Sequence, residues 1–137
     1  MGQERVLGRS IIALAIVIGL AGCATSQSVG SAPIDQGIKH TYNTTYEHAV
    51  AATMKALSTL NINITGSSTE SIGTIILVSK PISAFSWGEV GRVVVMKSDT
   101  TPITVVVNWQ KRDQIQLTGT DANEFTSTLF SMIDKSL

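Results

Sequence analysis

One cysteine and two histidines are the residues of this 137-residue chain with the sharpest chemistry. Cys23 closes the run Leu20-Ala21-Gly22-Cys23, an aliphatic residue and two small residues ahead of a thiol. The thiol is a nucleophile open to acylation, and the small pair leaves the extended backbone ahead of it unobstructed. Because Cys23 is the only cysteine, no internal disulfide can form and no second thiol remains for metal or redox work. His40 and His48, the second beside Glu47, can be drawn together as a metal site. The plainer reading is one strand histidine and one surface histidine, so no metal is expected. The serines form no Gly-x-Ser-x-Gly elbow, and no cysteine pairs with a histidine as a nucleophile. Asp99, Asp113 and Asp121 stand beside turns or a helix cap, where aspartate usually serves the backbone. Gly88 and Gly91 flank a hairpin-like region rather than a phosphate loop. The chain is therefore read as a non-enzyme without a cofactor.

The residues around Cys23 decide its role. Met1 to Arg9 carries Arg5 and Arg9 against Glu4, and Ser10 to Leu20 is almost wholly apolar. That run is about ten residues, whereas spanning a bilayer takes roughly 20. A short apolar run after positive charge is the core of a secretion signal. An ordinary signal peptide or a short uncleaved anchor would share the run without needing the cysteine. With Cys23 in place, the segment matches the lipobox of bacterial lipoproteins. The resemblance implies that residues 1–22 are a signal peptide, that a peptidase cuts before Cys23, and that the anchor is a diacylglyceryl lipid on that thiol. Ala24, rather than Asp, follows the acceptor, which in a two-membrane host favours the outer membrane, facing the periplasm.

Removing Arg5, Arg9 and Glu4 from ten basic and ten acidic residues leaves eight and nine, a nearly neutral body. A basic groove for nucleic acid is not expected. Residues 24–33, small and polar, bury too little apolar surface to offset their chain entropy, so 23–33 reads as the lipidated cysteine and a flexible tether. One domain is expected over 34–137.

Its pattern is β-α-β-β-β-β-α. Ile38, His40 and Tyr42 alternate with polar residues as a first strand. Thr44 with Glu47 fits a capping box for a helix to about Leu60, with Tyr46, Val50, Thr53 and Leu57 as its stripe and Ala49, Ala56 and Leu60 beside it. Asn61 can end that helix in the left-handed conformation. Ile62 and Ile64 mark a second strand, Gly66 to Gly73 a polar turn, and Thr74 to Lys80 a third strand, ended by Pro81. Arg92 to Lys97 and Ile103 to Trp109 are the fourth and fifth. Asp121 with Glu124 caps a last helix carrying Ala122, Phe125, Leu129, Met132, Ile133 and Leu137 on one side. Short connections favour an antiparallel sheet, and two amphipathic helices need one face to cover. The expected fold is a two-layer α+β sandwich, a mainly antiparallel five-stranded sheet with two helices on one face. If Ile75, Leu77, Val93 and Val95 face the helices, then Ile76, Val78, Val94 and Met96 lie on an open face too apolar to be fully solvated. A longer loop or a partner would have to cover it.

The segments Tyr46-Glu47-His48-Ala49-Val50, Ala56-Leu57-Ser58-Thr59-Leu60-Asn61-Ile62 and Gly73-Thr74-Ile75, with the final helix, resemble a group of small bacterial lipoproteins, many of unknown function. More distantly the body is similar to the helix-grip-type domains of the barrel-assembly lipoprotein C subunit. The resemblance implies an envelope component that binds a partner or serves a larger assembly. The alternatives are an envelope hydrolase or a small lipid or ligand carrier. Ile82, Phe85, Trp87 and Val90 fall between the third and fourth strands, in a loop that Gly88 and Gly91 would keep mobile. Aromatic residues in a loop mark a contact site or plug the end of the core; Phe85 and Trp87 are the expected partner contact.

Overall fold

The computed structural model of the chain describes residues 25–84, 88–113 and 117–137. The elements are α1 (Ser26–Gly30), β1 (Ile38–Tyr42), α2 (Tyr46–Thr59), β2 (Asn63–Glu70), β3 (Gly73–Lys80), β4 (Glu89–Met96), β5 (Ile103–Lys111) and α3 (Ala122–Ser136). The strands form one antiparallel sheet in the order β1-β5-β4-β3-β2. This is the expected α+β fold, with α1 added ahead of it.

The two long helices begin at side chains that satisfy their free N–H groups. Asp121 accepts from the Glu124 amide at 2.8 Å, as the spacing predicts. At α2 the cap is Thr45, not Thr44; its hydroxyl accepts from the His48 amide. Asn61 ends that helix with φ 54°, as expected. The stripe of α2 is turned toward its small residues, with Ala49, Ala52, Thr53, Ala56 and Leu57 buried while Tyr46, Val50 and Leu60 sit at the border. Alanines let α2 lie close to α3 and the sheet. On α3, Phe130 is buried and Leu137 is exposed, the reverse of the expected pattern at its end.

Two boundaries move by several residues, and the phase of one strand reverses. The stretch read as a turn from Gly66 belongs to β2, which runs to Glu70 and leaves only Ser71 and Ile72 to connect it to β3. β2 is an outer strand, exposed along nearly its whole length, so it needs no apolar alternation; a bulge shifts its register between Ile64 and Gly66. β4 begins at Glu89 rather than Arg92, so Val90 and Gly91 are strand residues, not loop. Gly91 gives no mobility there: it lies under Trp109, where a Cβ would stand 2.7 Å from the indole. The phase of β3 is also the opposite of the one expected. Ile76 pairs with Val93, so these two share a face, and Ile76, Val78, Val93 and Val95 all pack in the core under the helices. Ile75 and Leu77 take the other side.

β1 joins the core through Tyr42, 3% exposed, whose hydroxyl donates to the Phe130 carbonyl at 3.1 Å. Burial, and then Asp134, raise the Tyr42 pKa above the ordinary tyrosine range. The folded form thus keeps a proton that the unfolded chain loses above pH about 10, so this contribution to stability is present below that pH and falls as pH rises. Tyr42→Phe is expected to cost about 1 kcal/mol at neutral pH, the usual worth of one such bond. It should also flatten the alkaline limb of a stability-versus-pH profile measured by denaturant melts.

Candidate functional site on the open sheet face

The side of the sheet away from α2 and α3 carries Ile75 and Leu77 of β3, Val90, Arg92 and Val94 of β4, and Val106 and Asn108 of β5, by strand alternation and register. Val90, Val94 and Val106 are at most 1% exposed. Val90 is covered by the segment just after Cys23, and Gly37, further along the same stretch, lies against Val106. Thr25 and Ser28 build a reciprocal cap, with Thr25 Oγ1 accepting from the Ser28 amide at 3.1 Å and Ser28 Oγ from the Thr25 amide at 2.9 Å. The short α1 that follows seats Val29 against Val90, both fully buried. The segment read as a flexible tether is therefore docked from Thr25 on. Composition undercounts it, because one valine and a set of backbone carbonyls supply the contacts.

Those carbonyls meet Arg92, which is 1% exposed. Its Nη1 donates to Gly30 O at 3.2 Å and to Ala32 O, and its Nη2 to Pro33 O at 2.7 Å. Burial lowers the guanidinium pKa, yet a guanidinium stays charged at any neutral pH. The charge is held by dipoles of one short stretch of chain. Arg92 Nε and the Nδ2 of Asn108, its cross-strand neighbour, are buried with no hydrogen-bond partner among the described residues. Beside α1 the cover stops, and an open groove of about 520 Å³ runs between Gln27, Gly30 and Ser31 on one side and Gly66 to Ser68 on the other, floored by Ile75 and Leu77. Arg92 is the residue that sequence reasoning missed; the available signal was a lone arginine inside the run Val90 to Met96.

The histidines do not meet. His40 stacks on Phe130 at 5.1 Å between ring centroids and packs edge-on against Tyr42 at 4.7 Å, beside a groove that Thr126 and Asn123 also line. His48 lines a separate hollow with Lys55 and Leu137. Glu47 belongs to a third, of about 260 Å³, where the first turn of α2 faces Lys97, Asp99 and the hydroxyls of the β4–β5 turn. Among the described residues no group of three or more His, Cys, Asp or Glu can hold a metal ion. Phe85 and Trp87 lie outside the described residues, as does the Leu20 to Cys23 motif; Ile82, beside them, is 70% exposed. No helix among the described residues is long and apolar enough to cross a membrane. No protein-family model and no curated protein matches the chain.

Proposed function

We propose that the protein is a lipoprotein of the cell envelope, acylated on Cys23 and lodged in the outer membrane facing the periplasm, where its domain binds an envelope partner without catalysing a reaction. The observation that carries this reading is the order of parts along the chain. A short apolar segment ends in Leu20-Ala21-Gly22-Cys23, and a packed α+β domain begins within a few residues of that cysteine. A thiol at that point, with the apolar run ahead of it and the domain behind, is placed to carry an anchor. Three acyl chains, at roughly 0.8 kcal/mol per buried methylene, would hold the domain to the bilayer without a spanning helix. The partner contact is placed at Phe85 and Trp87, whose aromatic side chains suit an anchoring role.

Cys23→Ser tests the anchor. The wild-type chain should incorporate labelled palmitate and fractionate with outer-membrane markers, while the variant should accumulate at precursor length without label. An unlabelled wild-type chain would refute the reading. Gentle solubilisation of the labelled protein tests the second half: a stoichiometric protein partner supports a binding role, whereas a bound lipid would mark a carrier.

A further inference from the structure

The cover on the open face is slight for what it hides. Residues 25–33 contribute one fully buried apolar side chain, Val29, and three carbonyls to Arg92, while Gln27, Ser28, Ser31 and Pro33 remain exposed. Two buried donors beneath it, on Arg92 and Asn108, gain nothing from it. A segment so attached is a strap, fixed at a few points and separable from the sheet without disturbing the core under α2 and α3.

Its place in the chain gives the strap a consequence. We infer that residues 25–33, latched by Arg92, hold the open face of the sheet toward the membrane and keep the domain close against it. The inference rests on the lipid anchor proposed above. From Cys23 to the seated Val29 there are six residues, at most about 20 Å of extended chain at roughly 3.4 Å each. With the strap lifted, the first residue fixed in the sheet is Ile38, fifteen residues on, and the reach grows to about 50 Å. The anchor leaves from the strapped side, so the sheet lies between the membrane and the two long helices. Arg92 sets which of the two reaches applies, because it ties the end of the strap, Gly30 to Pro33, to the middle of β4. Val29 is the second fastening.

The test uses the full-length processed protein in vesicles of phosphatidylethanolamine and phosphatidylglycerol that carry an acceptor dye on lipid. A donor dye is placed on Ser68→Cys, exposed on β2 and paired with Ile75 on the strapped side, or on Ser131→Cys, exposed on α3. Energy transfer should be stronger from position 68 than from position 131. Val29→Asp, which unseats the strap and leaves every sheet and long-helix residue in place, should abolish that difference, and so should Arg92→Met. Equal transfer from the two positions in the otherwise native chain would overturn the orientation. A difference that survives both strap substitutions would overturn the latch. Amide exchange on the full chain reads the strap without the membrane. Residues 27–32 should be protected and should lose that protection in Val29→Asp while α2, α3 and β5 keep theirs; an unprotected segment in the native chain overturns the strap itself. Should Cys23 take no palmitate, the exchange result still stands or falls by itself, so failure of the anchor and failure of the strap are told apart.

Discussion

Trp109→Ala is expected to lower the unfolding free energy by about 3–5 kcal/mol, the range for truncating a buried aromatic side chain. Trp109 is 4% exposed and stacks on Phe125, with ring centroids 3.7 Å apart and planes 14° from parallel. Beneath it Gly91 makes room for the indole and has no side chain of its own to move into the space the indole vacates. The indole N–H donates to the Thr120 carbonyl at 3.1 Å. Thr120 is also held from two other strands: its amide donates to Glu89 Oε1 at 2.9 Å, and its hydroxyl accepts from Lys80 Nζ at 3.0 Å. It stands one residue before the α3 cap, so β3, β4 and β5 each pin the start of that helix. The variant loses packing and one of the three pins together. Denaturant melts should show a lowered midpoint at an unchanged slope. A change within about 0.5 kcal/mol, typical of surface positions, would refute the arrangement.

Leu57→Ala and Leu129→Ala are each expected to cost about 2–5 kcal/mol. Both side chains are fully buried, one on α2 and one on α3, in the single cluster that joins the two helices to the sheet. The cost within that range depends on how far the surroundings relax. One helical turn from Leu57 stand Thr53, Met54 and Leu60, and one turn from Leu129 stand Phe125, Thr126, Met132 and Ile133, so each site has large neighbours that relax in part and the middle of the range is expected at both. Thermal and denaturant melts should show the loss in each variant, and a change within about 0.5 kcal/mol, typical of surface positions, would refute the burial of that leucine.

These positions were readable in the sequence because a helix packed on one side writes its contacts every three or four residues. The caps at Asp121 and the stop at Asn61 are short-range chemistry and read equally well. What could not be read depends on pairing between distant strands. β3 is apolar on both sides, so alternation alone left its phase open, and only the register Ile76 to Val93 settles it. The start of β2 is legible from Ile62 and Ile64, but Gly66 to Glu70 carry no apolar alternation because water reaches both sides of this edge strand, so that half reads as a turn. That the open face is too apolar for water follows from β3 and β4 being apolar on both sides, and either a longer loop or a partner is the cover the sequence calls for. Which segment it was could not be seen, since residues 25–33 look like solvated linker until Arg92 supplies the partner for their carbonyls.

The outer strand β2 has a consequence for how copies behave together. Its sequence Asn63 to Glu70 is hydroxyls, an amide, a glycine and a carboxylate around one isoleucine, and its bulge breaks the regular spacing of its backbone groups. A free strand edge of eight residues would otherwise be a template for another chain's edge. Water-binding side chains, the kink and the terminal charge make such lateral joining poor, so molecules crowded in one plane stay individual rather than zipping into a continuous ribbon.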